Sequence, residues 1–200
     1  MTTIRDVAQL EALYGAPGRA SLIKVADHIT DEYAAWIGAA RFCVLSTVGP
    51  SGTDGSPRGD DGPVVQIQDP KTLLLPDWQG NNRMDSLRNI VEDGRVSLMF
   101  MIAGQTNVIR LNGSATLSLD ETLINRFEQG AKHPRSIVVI DVDEVYSQCA
   151  RAVMRAGLWD TPPDVQLPTM GDILKAQENG AFDGADYDQS WAARAKKTMW

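Results

Sequence analysis

The most regular pattern in the chain covers residues 108–119. There Ile109, Leu111, Gly113, Ala115, Leu117 and Leu119 alternate with Arg110, Asn112, Ser114, Thr116 and Ser118. Period two over that length predicts a long strand with one buried face and one face that is wet or lines a ligand site. Shorter apolar and β-branched runs predict strands over 42–48, closed by Gly49-Pro50-Ser51-Gly52, over 63–67, over 72–75 with a stop at Pro76, over 96–102 and over 137–146.

Helical spacing appears in other places. Thr3-Ile4-Arg5-Asp6 has the form of a capping box, opening a helix that turns Val7, Leu10 and Tyr14 inward and stops at Gly15-Ala16-Pro17-Gly18. Leu22, Val25, Ala26, Ile29, Tyr33, Trp36 and Ile37 fall on one face of a second, continuous helix that packs on a sheet. Further helices are predicted over 82–91 through Met84, Leu87, Ile90 and Val91, after Asp120, over 149–156 ending at Gly157, and over 170–176. The tail beyond is polar.

Strands dominate the middle of the chain and do not alternate regularly with helices, which disfavours a doubly wound parallel sheet. The expected fold is mainly β with flanking helices, about six antiparallel strands forming a small barrel. Residues 1–40 are expected to be helices packing on the barrel, 41–160 the barrel itself and 161–200 an extension, with one domain overall.

Composition narrows the class. The 200 residues are 43% hydrophobic and 22% charged, with net charge −7. Lys and Arg are scattered, so there is no basic stripe, and nucleic acid is not expected as a partner. Cys43 and Cys149 sit in apolar settings, and two reduced, buried thiols are expected rather than a disulfide. The two histidines, His28 and His133, are far apart, and no metal site is expected. Without an apolar signal core or a run long enough to span a bilayer, the chain reads as cytoplasmic, with no membrane partner.

Candidate chemistry begins at Leu75-Pro76-Asp77-Trp78-Gln79-Gly80-Asn81-Asn82-Arg83-Met84-Asp85, where a strand gives way to a turn and a helix. Unpaired N–H groups at the helix start suit a phosphate, and Arg83 could add two charge-assisted bonds. The competing reading is a surface helix capped by Asn82 and Asp85. Ser56-Pro57-Arg58-Gly59-Asp60 is either a hairpin loop with a solvated arginine or a place where backbone approaches a planar ligand. Arg110, the Arg151 and Arg155 pair, and Trp159 each have a packing or solvent reading beside a ligand one. No Ser/His/Asp, Cys/His, paired-carboxylate or Gly-x-Gly-x-x-Gly arrangement is present, so redox chemistry here would belong to a cofactor.

Together, Leu45-Ser46-Thr47-Val48-Gly49-Pro50-Ser51-Gly52, Ser56-Pro57-Arg58-Gly59-Asp60, Leu73-Leu74-Leu75-Pro76-Asp77, Gly80-Asn81-Asn82-Arg83, Asp85-Ser86-Leu87, Arg110-Leu111-Asn112-Gly113-Ser114-Ala115, Val145-Tyr146-Ser147-Gln148-Cys149-Ala150, Arg155 and Leu158-Trp159 form an ordered set. In order and spacing it resembles the pyridoxamine 5′-phosphate oxidase-related FMN-binding split barrels over nearly the whole chain. The resemblance implies a six-stranded antiparallel split β-barrel and a homodimer with FMN at the subunit interface. By that analogy Asn82 and Arg83 contact the phosphate together with Ser46, Asp85 caps the helix facing away, and Pro57, Arg58 and Gly59 face the pyrimidine edge of the flavin. Gln105, Arg151 and Trp159 would come from the other subunit, and Cys149 matches a family position.

The Arg- and His-bearing C-terminal signature of a true pyridoxamine phosphate oxidase is not recognisable in residues 162–200. The implied function is an FMN-dependent oxidoreductase acting on an unidentified small molecule. The alternatives are a non-catalytic flavin-binding or storage protein, and a split-barrel module for another ligand such as haem, for which His28 and His133 are the only imidazoles.

Overall fold

In the computed structural model, which describes residues 3–161 and 163–200, seven strands form a single sheet. In chain order the elements are α1 (Val7–Tyr14), α2 (Arg19–Ile23), α3 (Asp31–Ala39), β1 (Phe42–Gly49), β2 (Gly52–Gly59), β3 (Gln66–Asp69), β4 (Thr72–Asp77), α4 (Asp85–Glu92), β5 (Arg95–Met101), β6 (Val108–Ser118), α5 (Glu121–Ile124), β7 (Ser136–Gln148), α6 (Arg151–Ala156), α7 (Met170–Gln177) and α8 (Gly184–Thr198). The sheet order is β2-β1-β5-β6-β7-β4-β3, and every pairing is antiparallel. No ladder joins β2 to β3, so the sheet is not a closed barrel.

The alternation along β6 explains its central place. Ile109, Leu111 and Ala115 are buried, while Ser114 and Thr116 are exposed. Where β6 passes β7 the register shifts between Asn112 and Gly113. A Cβ on Gly113 would lie 2.0 Å from the Asp141 carbonyl oxygen, so the two backbones approach this closely only because that side chain is missing. The core also takes Leu45 from β1, Leu73 and Leu75 from β4, Leu98 and Phe100 from β5, and Val138, Ile140 and Val145 from β7. Ile37 of α3 inserts into it, with Tyr33 and Trp36 packed alongside.

Several expectations are corrected. The sheet has seven strands rather than six, because residues 52–59 form β2 instead of a loop. A run so rich in glycine, with no apolar alternation, carries no strand signal of its own. Pairing with β1 from Phe42↔Gly59 to Gly49↔Gly52 makes it a strand, and its edge position tolerates Pro57. Pro76 does not stop β4. At that point β4 pairs with β7 alone, β3 reaching only from Thr72 to Leu74, so one side of Pro76 needs no donor.

The expected second helix is broken. Ala26 exchanges two backbone bonds with Val145 (3.0 and 2.8 Å), and Thr30 then caps α3 by accepting from the Tyr33 amide. Ile29 and Ile37 are buried as expected, whereas Leu22 and Val25 stay exposed. In α1 the cap is Asp6 rather than Thr3, and Val7, Leu10 and Tyr14 are exposed rather than inward. The polar tail contains α8, joined to α7 in a hairpin.

Both cysteines are free, but only Cys43 is buried. Burial pushes the Cys43 thiol up to about 12, against a smaller opposing effect of Arg58. Exposed Cys149 sits just before α6, where a hydrogen bond from the Arg151 amide, then the charges of Arg151 and Lys24, lower its pKa. Among the described residues no helix is long and apolar enough to cross a membrane.

The thiolate is the reactive form. Iodoacetamide at about pH 8 should therefore modify Cys149 in the folded protein and leave Cys43 untouched until denaturant is added. Peptide mass spectrometry distinguishes the two, and equal labelling of both in the native state would contradict this placement.

Candidate functional site: a cavity at the split of the sheet

β2 lies at one edge of the sheet and β4 next to the other, with four strands between them. The sheet curls until they face each other, and Arg58 Nη1 of β2 donates to Asp77 Oδ1 of β4 at 2.6 Å. Both side chains are mostly buried, 18% and 14% exposed, and the Arg58 Nε–H is buried without a partner among the described residues. Register accounts for the direction of Arg58. It pairs with Cys43, so it shares the inward face of β1 with Cys43, Leu45 and Thr47.

A cavity of about 950 Å³ opens along this split. Its size is at the upper end of small-molecule pockets, about 300–1,000 Å³. The walls are Asp54 to Asp60 on one side and Leu75 to Leu87 on the other, completed by Leu117, Leu119, Arg135, Ser136 and Met199. Pro57, Arg58, Gly59, Asn82 and Arg83, all singled out in the sequence, line this one cavity.

The turn before α4 is held in an unusual conformation. Asn82 has φ +59°, a left-handed backbone that asparagine adopts more readily than most residues. Arg135 Nη1 donates to Asn82 Oδ1 at 2.7 Å, and the Arg83 amide donates to Asn81 Oδ1 at 3.0 Å. The helix starts three residues later than expected, and neither Asn82 nor Asp85 caps it. Met84 occupies the cap position with no side-chain bond. Asp85 instead accepts from Arg83 Nε at 2.5 Å, and Ser86 Oγ donates to Asp54. The α4 helix is seated by Asn89, whose buried amide donates to Thr47 Oγ1 at 3.0 Å. Gly49 makes room for it, since a Cβ there would lie 2.4 Å from Asn89 Oδ1.

Charges in the cavity nearly balance. Asp54, Asp60, Asp77 and Asp85 face Arg58, Arg83 and Arg135, with Arg58–Asp77 and Arg83–Asp85 already paired. Asp60 accepts from Trp78 Nε1 at 2.8 Å and from Gln129 Nε2 at 3.1 Å. Among the described residues, no histidine, cysteine, tyrosine or lysine lines the cavity.

The other predicted residues lie outside its lining. Ser46 is exposed on the outward face of β1. Trp159 Nε1 donates to the Gln105 carbonyl at 2.6 Å, which brings those two together away from the cavity, and Arg151 begins α6. Sequence reasoning missed Arg135 and Met199. Arg135 stands before β7 in a loop with no pattern of its own, and nothing in Lys197-Thr198-Met199-Trp200 points to a wall of a site 120 residues upstream.

A sequence profile described as pyridoxamine 5′-phosphate oxidase matches residues 29–149. The chain belongs to the pyridoxamine 5′-phosphate oxidase family. The matched span holds all seven strands and α4, and leaves α1, α2 and α6 to α8 outside it.

The chain is also similar in structure to HupZ from Group A Streptococcus, at 18% identity and a TM-score of 0.50 over 60% of this chain and 99% of that one. A putative pyridoxamine 5′-phosphate oxidase from Lactobacillus delbrueckii matches at 17% identity and TM-score 0.48, over 60% of this chain and 95% of that one. An FMN-binding protein from Syntrophomonas wolfei matches at 16% identity and TM-score 0.42, over 58% and 80%. A search of curated proteins by sequence gives no match.

Asp77→Ala should leave the Arg58 charge buried and unpaired, lowering stability by about 3–5 kcal/mol. The double change Arg58→Met with Asp77→Leu should cost clearly less, since it removes both charges together. Urea unfolding at neutral pH measures both, and equal losses would show that the pair does not carry the junction.

Proposed function

We propose that the protein is an FMN-binding oxidoreductase, working as a homodimer on a small-molecule substrate. The observation that carries the reading is the start of α4 inside the cavity. An uncapped helix start, Arg83 and Arg135 meet there, and this combination suits a phosphate. Arg83 is 79% exposed and bonded to Asp85, so the phosphate would take the place of that carboxylate. Asn82, locked by Arg135, supplies an amide beside it.

The orphaned Nε–H of Arg58 is a donor for the polar edge of the ring, and Pro57 and Gly59 flank it. Bound flavin supplies the electron or hydride transfer, and the chain orients it and excludes water. Gln105, Arg151 and Trp159, outside the cavity of their own chain, are assigned to the site of a second copy. Ser46 faces away from this cavity and plays no part in the phosphate contact proposed here.

Pyridoxal phosphate synthesis is not part of the proposal, because residues 162–200 hold no histidine with which to form the expected signature. A non-catalytic flavin carrier is a second reading. It is favoured by a cavity whose only ionisable acids, among the described residues, are the four aspartates.

The purified protein should show a flavin absorbance spectrum, or acquire one when FMN is added. A protein that remains colourless under both conditions would sink the proposal. Arg83→Ala should weaken FMN by about 10- to 100-fold, the worth of a lost charge-assisted bond, and leave riboflavin nearly unchanged. Equal losses for the two ligands would remove Arg83 from the phosphate site.

A further inference from the structure

The hairpin of α7 and α8 packs chiefly on itself. Thr169 and Asp172 form a reciprocal cap on α7, and the Gly171 amide donates to Asp188 Oδ1 at 2.9 Å. Gly171 and Gly184 let the two backbones touch, since a Cβ on Gly171 would lie 2.1 Å from the Gly184 carbonyl oxygen. Neither helix packs on any strand as extensively as on its partner helix.

The far end of α8 nevertheless reaches the cavity. Met199 lines it, and the Trp200 ring meets Trp78 edge-on, with centroids 5.3 Å apart and planes at 79°. Lys132 Nζ donates to the main-chain oxygens of Lys197 (3.1 Å) and Trp200 (2.9 Å). These contacts lie against the wall already described, where Trp78 is bonded to Asp60 and leads into the turn at Gln79 to Arg83.

We propose that residues 197–200 are a strap over the cavity, latched by Trp200 on Trp78 and by Lys132, and that its release controls how fast a ligand enters and leaves. A self-supporting hairpin held at its far end by Met199, the Trp200–Trp78 contact and two exposed hydrogen bonds can swing away without disturbing the sheet core. Trp200 is a positioning residue in this scheme, because it acts through Trp78, which lines the cavity. The proposal rests on the flavin reading above for its ligand, while the strap itself rests on the contacts alone.

Flavin uptake by the unaltered protein tests that reading first. With FMN bound, Trp200→Ala and Lys132→Ala should each speed its dissociation by about tenfold, the upper worth of an edge-on aromatic pair and the lower worth of a charge-assisted bond. Trp200→Phe, which keeps the ring contact, should stay close to the unaltered rate. A merely structural role would lower thermal stability without this pattern of rescue. Hydrogen exchange of the amides of residues 78–83 supplies a readout that needs no flavin, and should quicken in Trp200→Ala. Unchanged dissociation in both alanine variants overturns the strap, as does unchanged exchange in residues 78–83. A protein that takes up no FMN fails the flavin reading alone, and the exchange experiment then decides the strap.

Discussion

The Arg58–Asp77 ion pair spans the place where the sheet fails to close. It joins two strands that are not hydrogen-bonded neighbours, and it does so with both side chains largely out of water. A pair in that position contributes little net stability, because desolvating two charges offsets most of their attraction. Its effect is geometric. It fixes the separation of β2 and β4, and that separation is the width of the cavity. The unpartnered Nε–H is the residue of this arrangement, a buried donor that the fold leaves to whatever fills the split.

Everything else in the site is positioned relative to that junction. The register of β2 on β1 sends Asp54, Ser56 and Arg58 inward, and a one-residue slip would turn all three outward. On the opposite wall, Asn89 fastens α4 to Thr47 of β1 and Ser86 donates to Asp54 of β2, so the helix sits against the strand that carries Arg58. Arg135 then locks Asn82 in a left-handed conformation. That contact and the bond from the Arg83 amide to Asn81 Oδ1 support the turn at two points.

Much of this was legible in the sequence where side-chain pattern and structure coincide. The alternation in β6, the apolar runs of β1, β5 and β7, and the glycine closing α6 each state their own conformation locally. What escaped notice depends on partners distant in the chain. Residues 52–59 are a strand only because β1 lies beside them, and the second helix breaks because Ala26 bonds to Val145, 119 residues away. Arg58, Asn82 and Arg83, singled out through motif order, line the cavity, whereas Arg135 was not singled out, since its contact with Asn82 exists only once β7 returns beside β4. The expected Asp85 cap failed for a local reason. The left-handed Asn82 delays the helix, and Asp85 meets Arg83 instead of capping.

The boundary of the family match divides the cavity by origin. Residues 29–149 carry the curled sheet, the ion pair, α4 and Arg135, which together fix the size of the cavity and place its cationic groups. Met199 comes from outside that span, on a hairpin whose packing is largely its own. A wall supplied this way can change in shape or be lost without altering the register that aims Arg58. The reverse does not hold, since a slip between β1 and β2 would dismantle the site whatever covered it. Constraint on the cavity therefore falls most heavily on the sheet, and the freedom to change its shape lies in the wall that the hairpin adds.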